Sequence, residues 1–264
     1  MIDHAHLAGL LAVDIGNTNI HIGFWDGGQW LHSWRARTEP GKMADEYAVL
    51  LRSFLAGDDI SAAQVTGVAI GSVVPSLTDV WVELARDAFK QEPLVVNHLT
   101  QTGVRIDIDR PEQAGADRII NAAAVVALYG APAIVIDFGT ATTFDVVSRA
   151  GAYCGGAIAP GITLAHDALV AHAARLHKID LKPPAHAIGT NTVSAMQSGI
   201  FLGYVGLVEG LVRRIKSEMD DPDVQVIATG GLAVLFHENT DVIDRIASEL
   251  TLDGLRVIYA LNHA

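Results

Sequence analysis

Apolar and polar positions first alternate at residues 19–25, where Ile20, Ile22 and Phe24 are separated by His21 and Gly23. A period of two predicts a half-buried strand. Before it lies an unbroken apolar run, Leu10-Leu11-Ala12-Val13, that ends in Asp14 and predicts a buried strand. Asp26-Gly27-Gly28 predicts a hairpin turn, and residues 29–36 a third strand. The chain therefore opens as an antiparallel meander, not as a strand–helix–strand unit. Helical spacing takes over near Ala44: Tyr47, Leu50, Leu51 and Phe54 share a face, and Gly57 closes the helix. Residues 65–72 predict a strand. Pro75 opens an amphipathic helix to about Lys90, with the proline in its first turn. Residues 94–96 read as a strand and 100–114 as an irregular polar stretch. Asp117 begins a helix to about Tyr129, which stops at Gly130-Ala131-Pro132.

The pattern then restarts. Ala133-Ile134-Val135-Ile136-Asp137-Phe138-Gly139-Thr140 repeats the grammar of Leu10 to Asn17: buried strand, Asp, apolar residue, Gly, small polar residue. A second meander follows at 142–147 and 152–158, with a turn at 148–151. Helices are expected at 162–174 and 193–219, and a strand at 224–228 leads into Thr229-Gly230-Gly231. The remaining tail alternates strand and helix. A meander followed by helix and strand, twice over, is the mark of an internal duplication. It predicts an α/β protein of twin domains facing across a cleft, with the boundary near Gly130 to Pro132.

Composition narrows the classes. Of 264 residues, half are hydrophobic and only 18% charged, which excludes a disordered or solvating chain. The formal net charge of −12 lacks the footprint of a nucleic-acid binder and suits an anionic membrane surface poorly. An anionic ligand would need a local site of backbone N–H groups, a metal ion or a few placed side chains. The single cysteine, Cys154, rules out an internal disulfide and points to a reducing cytosol, hence a cytoplasmic protein. Cys154 lies in a predicted strand and reads as a small core residue. No stretch reaches the roughly 20 apolar residues of a membrane helix. Residues 119–136 come nearest, interrupted by Gly130 and Pro132. Residues 1–9 lack the basic and apolar regions of a signal peptide and read as a short tail.

Four motifs could carry chemistry. Asp14-Ile15-Gly16-Asn17-Thr18-Asn19 combines a strand-end acid with a glycine and uncharged donors, as a phosphate loop or as a plain β-turn. Asp137-Phe138-Gly139-Thr140-Ala141-Thr142-Thr143 has the same make-up, and it too reads either as a phosphate loop or as a plain strand-turn-strand hairpin. Two copies at equivalent points of a duplication favour hairpins that clasp a polyphosphate. Thr229-Gly230-Gly231 after a strand suits a flat ligand lying on backbone, or a tight turn. In Gly115-Ala116-Asp117-Arg118, Asp117 is either an N-cap or a general base, and Arg118 could fork onto a carboxylate. Walker A and G-x-G-x-x-G patterns are absent from the sequence.

Taken in order, these motifs resemble type III pantothenate kinases, of the acetate kinase, sugar kinase, Hsp70 and actin superfamily. The likeness also rests on Thr38 to Tyr47, Ser72-Val73-Val74-Pro75, Gly155 to Gly161 and Asn191 to Tyr204, and spans nearly the whole chain from Leu10. It implies two duplicated ribonuclease H-like, actin-like domains, at 10–130 and 131–264. Each would be a mixed five-stranded sheet with flanking helices, the last helix packing back on the first domain. It implies ATP-dependent phosphorylation of pantothenate, the first step of coenzyme A synthesis. Asp14, Ile15, Gly16, Asn17, Thr18, Asn19, Ile20, His21 and Thr140 would bind ATP. Gly115, Ala116, Asp117 and Arg118 would bind pantothenate, with Asp117 as base, and Thr192 would reach substrate across a homodimer interface. Asp137 would hold a monovalent cation, K⁺ or NH₄⁺, and Asp14 a hydrated Mg²⁺. The chain departs from the family pattern at Ile108, where a Tyr is common, and at Thr190, where a Lys is common. A regulator of the same fold without metabolic activity is the alternative.

Overall fold

The computed structural model describes residues 7–263, so most of the short tail expected at 1–9 lies outside the described residues. Two compact units emerge. One holds the described residues up to Tyr129 together with Glu249 onward, and the other runs Gly130–Ser248.

In the first unit, β1 (Leu10–Ile15), β2 (Asn19–Trp25) and β3 (Trp30–Arg37) form the antiparallel meander. Asp26 closes the β2–β3 turn by accepting the Gly28 and Gln29 N–H groups at 2.7 and 2.8 Å. β4 (Gly67–Ser72) pairs parallel with β1, and β5 (Leu94–Val95) parallel with β4, giving the order β3-β2-β1-β4-β5. α1 (Ala44–Gly57) and α2 (Pro75–Leu84) supply Tyr47, Leu51, Leu77 and Trp81 to a core with Val13, Ile15 and Ile22. Residues 85–89 continue α2 as a single π turn, ended by Lys90 in the left-handed region (φ 59°). The irregular stretch contains the two-residue β6 (Arg105–Ile106) and leads into α3 (Ala116–Leu128).

The second unit repeats this plan. β7 (Ala133–Phe138), β8 (Ala141–Val147) and β9 (Ala152–Pro160) form the second meander. α4 (Ile162–His172) and α5 (Thr192–Gln197) follow, and a π turn at 198–202 joins α5 to α6 (Gly203–Met219). β10 (Gln225–Gly230) pairs parallel with β7, α7 (Ala233–His237) follows, and β11 (Arg245–Ile246) pairs parallel with β10. The strands of this unit therefore lie in the order β9-β8-β7-β10-β11, the same path as in the first unit. Even the burial of β1 and β7 matches position by position, the acid alone being partly open in each. Ile136, Phe138, Phe144, Tyr204, Val208 and Phe236 build the second core.

α8 (Leu250–Asn262) returns to the first unit and packs on α3 and β1. Gly254 makes this possible: a Cβ there would run into the Ile120 carbonyl oxygen of α3.

Two sequence expectations, on Cys154 and on membrane-length helices, need correction, and one of the two readings left open for Asp117 drops out. Cys154 is exposed, because β9 turns its Cys154 side outward just where Gly155 and Gly156 take φ of 87° and 155°. Asp117 is not the N-cap of α3; Gly115 is, with extended backbone, and Asp117 lies inside the first turn. A helical run long and apolar enough to cross a membrane, by length and composition, does exist among the described residues, at Thr192–Met219. It arises because the π turn fuses α5 and α6; its Phe201, Tyr204, Val208 and Val212 lie in the second core, while only 28% of its apolar window is buried.

Candidate active site

At the end of β1 the chain reverses through a tight turn in which the Gly16 N–H donates to the Asn19 carbonyl at 3.0 Å. Asp14 sits one step before the turn, half-buried, opposite His21 of β2. Asn17, Thr18 and Asn19 are exposed. From the end of β3, Thr38 donates its N–H to the Thr18 carbonyl at 3.0 Å and its hydroxyl to the Gly16 carbonyl at 2.6 Å. Ile20 lies buried in the core, and Ile15 uses its carbonyl to accept the Val73 N–H at 3.0 Å just beyond β4. Val73 in turn packs near Gly115, the N-cap of α3. The turn after β1, the end of β4 and Gly115-Ala116-Asp117-Arg118 therefore share one edge of the sheet. That is the carboxyl edge of parallel β1 and β4, where open α/β sheets bind ligands.

Asp117 accepts the Arg118 N–H at 2.8 Å. Burial pushes its carboxyl above the ordinary carboxylate range, against the opposing pull of that hydrogen bond and the Arg118 charge. A carboxyl held higher is a better proton acceptor near neutral pH. His21 lies 3.2 Å by Nε2 from Glu249 Oε2, at the start of α8. Burial, helped by Arg35, lowers its pKa to about 4, so at neutral pH it is an uncharged imidazole. Burial also raises the Glu249 carboxyl.

The second unit has a counterpart of the first turn, one residue shorter. The Gly139 N–H donates to the Ala141 carbonyl at 3.1 Å, and the Gly161 N–H, at the cap of α4, to the Thr140 carbonyl at 3.1 Å. Asp137 stands opposite Thr143 on β8 and opposite Thr229 on β10. Gly230 closes this edge at φ 89°, where a Cβ would lie 2.7 Å from Asp137 Oδ1 and 2.7 Å from the Phe138 carbonyl oxygen. Beside it a cavity of about 510 Å³ has Ile162, Leu181, Leu232 and Leu235 as apolar walls, with Thr163, Asp180 and the Asp167–Lys178 ion pair (2.8 Å) among its polar groups. Buried His166 holds one wall, its Nε2 accepting the Ile179 N–H at 3.3 Å.

Each unit thus brings its own predicted residues together: Asp14 to His21 with 115–118 in one, Asp137 and Thr140 with Gly230 in the other. Thr192 belongs to a different element of the second unit. It opens α5 behind an Asn191–Ser194 capping box and lines an apolar groove of about 520 Å³ with Leu169, Met196 and Ile200. Ile108 is half-buried in the loop before α3. Two side chains with a part in these edges were given no role by the sequence reading. Thr38 entered only as the first residue of a stretch shared with the family, and Asp145, fully buried and bonded to Thr143, only as a position in a predicted strand. Among the described residues no group of three or more His, Cys, Asp or Glu side chains is arranged to hold a metal ion.

A duplicated meander-and-helix plan with an acid at the tip of each first strand defines the actin-like fold of ATP-using phosphotransferases. Solved structures agree on the fold. A candidate Baf family transcriptional activator from Campylobacter jejuni aligns with TM-score 0.61 at 19% identity, over 96% of this chain and 98% of that one. The inorganic polyphosphate/ATP-glucomannokinase from Arthrobacter sp. strain KM aligns with TM-score 0.51 at 17% identity, over 97% and 100%. The family model for type III pantothenate kinase matches residues 10–214. A type III pantothenate kinase of Dehalococcoides mccartyi strain CBDB1 is 49% identical over 96% of both chains. The chain belongs to the type III pantothenate kinase family.

Proposed function

We propose that the chain transfers the γ-phosphoryl group of ATP to pantothenate, giving 4′-phosphopantothenate and ADP, the first step of coenzyme A synthesis. The observation that carries this reading is Asp117. In a chain of this family, it is an acid with a raised pKa in the first turn of α3, on the edge it shares with the turn after Asp14. Phosphoryl transfer asks a protein mainly for in-line placement and neutralised charge. Asp14, Ile15, Gly16, Asn17, Thr18, Asn19, Ile20 and His21, with Thr140 of the second unit, bind ATP through backbone and uncharged donors. Gly115, Ala116, Asp117, Arg118 and Thr192 bind pantothenate. The primary hydroxyl oxygen of pantothenate attacks the γ-phosphorus, and that oxygen's proton passes to Asp117. The bond from the γ-phosphorus to ADP breaks. The cavity beside Leu232 suits the nucleoside, its apolar walls facing a flat base.

Two ions belong to this reading, and the donor chemistry fits both. Asp137 and the Thr143 hydroxyl offer the oxygen donors that K⁺ or NH₄⁺ takes. Asp14 offers the single carboxylate by which Mg²⁺ is commonly held while keeping waters and substrate phosphates. Bound there, the ions would supply positive charge to the phosphates, which an acidic chain with few placed basic residues otherwise lacks.

The proposal includes a homodimer, supported by half-exposed Val193 beside the apolar groove that Thr192 and Leu169 line. It also includes work in the cytoplasm, without nucleic acid or membrane, in keeping with the net charge of −12. A coupled ADP-release assay with and without pantothenate and K⁺, with the product identified by mass spectrometry, tests it. ADP release indifferent to pantothenate would sink it. The regulator reading has support only from a fold likeness at 19% identity.

A further inference from the structure

In β8 the Thr143 hydroxyl donates to Asp145 Oδ2 at 2.9 Å, and from β9 the Tyr153 hydroxyl donates to Asp145 Oδ1 at 3.3 Å. Asp145 is fully buried and Tyr153 nearly so. Strand alternation puts Thr143 and Asp145 on one face of the sheet. Register puts Thr143 directly opposite Asp137. Side chains so paired have Cβ atoms about 4.5–5.5 Å apart.

A threonine hydroxyl has one proton and two lone pairs. With its proton given to Asp145, Thr143 presents only lone pairs to anything else. A phosphate oxygen would need a donor at this point, whereas a cation needs acceptors. We propose that Asp145 is a positioning residue that fixes Thr143 as an acceptor-only hydroxyl, so that Thr143 joins Asp137 in holding the monovalent cation. The inference rests on the assignment of Asp137 to that cation. A purely structural role for Asp145 would have it fill the irregularity where the β8–β9 register shifts between Asp145 and Val147, and would touch stability alone.

The test uses the full chain, with thallium(I) as the probe for K⁺. Thallium affinity is read by thallium NMR, the half-activating K⁺ concentration by ADP release, and Tm without ATP or K⁺. Outer partners of an ion's ligands typically contribute about 10–100-fold in affinity. Thr143→Val, which removes a ligand, is expected to weaken thallium binding and raise the K⁺ midpoint by at least what loss of an outer partner does, about 10-fold or more, and Thr143→Ser to restore both. Asp145→Asn should produce a similar shift, and the double variant no further one, because the two act as one unit. If Asp145→Asn lowers Tm and leaves thallium affinity unchanged, the positioning role is wrong. If Asp145→Asn does not fold, the threonine pair decides: unchanged thallium affinity in Thr143→Val overturns the proposal. Asp137→Asn separates the two levels. Loss of thallium binding there, with Thr143→Val unaffected, defeats this inference alone. Retained binding in Asp137→Asn defeats the cation assignment itself, and the inference with it.

Discussion

The Thr38 hydroxyl donates to the Gly16 carbonyl at 2.6 Å, and the Thr38 N–H donates to the Thr18 carbonyl at 3.0 Å. One residue at the end of β3 therefore grips both sides of the turn that follows Asp14. Tyr47 of α1 secures the next step by donating its hydroxyl to the Glu39 carbonyl at 3.2 Å and accepting the Glu39 N–H at 3.0 Å. Thr38→Val keeps the shape and removes one bond. It should lower stability by about 1 kcal/mol and raise the KM for ATP several-fold with a smaller effect on kcat. Denaturant unfolding and steady-state kinetics check both. A stability loss with an unchanged KM for ATP would make the grip structural only.

Asp117→Asn removes the proton acceptor while keeping the size of the side chain and its place in the first turn of α3. Loss of a general base typically costs 10²–10⁴-fold, and kcat should fall by about that much. ATP affinity, measured by calorimetry, should stay near the wild-type value, because Asp117 is assigned to the acceptor hydroxyl. Near-normal turnover would remove Asp117 from the base role.

The duplicated framework was legible because burial and period agree locally. Leu10-Leu11-Ala12-Val13-Asp14 and Ala133-Ile134-Val135-Ile136-Asp137 are apolar where both faces of a strand are covered, and polar only at the tip. What depends on distant chain was not legible in the periodicity. The return of α8 to the first unit was expected from the family resemblance alone; Gly254, which admits the α3 backbone, makes a contact between residues far apart in sequence. Cys154 was misread because alternation assigns a face but cannot foresee that Gly155 and Gly156 turn the strand. Asp117 looked like a cap because acids favour that position. Gly115 takes it by adopting the extended cap conformation two residues earlier, which leaves the Asp117 carboxyl available for chemistry. The contacts of Asp145 were hidden because Tyr153 and Thr143 meet at its carboxyl across an irregularity in the β8–β9 register, where Tyr153 pairs with Val147 and not with Asp145.

His21 should make the protein acid-sensitive. Its folded pKa, about 4, lies below the ordinary 6.5, so its contribution is fully present above pH 6.5 and is lost as pH falls toward 4. In that window the unfolded chain takes up a proton that the folded chain refuses. At 1.36 kcal/mol per unit the ceiling is roughly 3 kcal/mol. The neighbouring groups are Asp14 on β1, Arg35 on β3 and Glu249 at the start of α8. Glu249, with a raised pKa, has the opposite slope and offsets part of the effect. Urea unfolding at several pH values should show stability falling from pH 6.5 to 4, with a flatter profile in His21→Gln. The same slope in both proteins would place the acid sensitivity elsewhere.

Gly230 and Gly231 are neighbours with different demands, which makes them a paired test. At Gly230, φ of 89° and the Asp137 and Phe138 oxygens, each 2.7 Å from where a Cβ would stand, leave no place for a side chain. At Gly231 nothing lies within 4 Å of that point. Gly230→Ala must strain the backbone, at about 1–2 kcal/mol for the left-handed conformation alone, and must push the Asp137 carboxyl from its place. Gly231→Ala should stay within about 0.5 kcal/mol of wild type. Because Asp137 is assigned to the monovalent cation, Gly230→Ala should also raise the K⁺ concentration needed for half activation, and Gly231→Ala should not. Thermal unfolding and K⁺ titrations of ADP release measure the two effects separately. Equal behaviour of the two variants in both measurements would mean that the Gly230 backbone does not set the position of the Asp137 carboxyl.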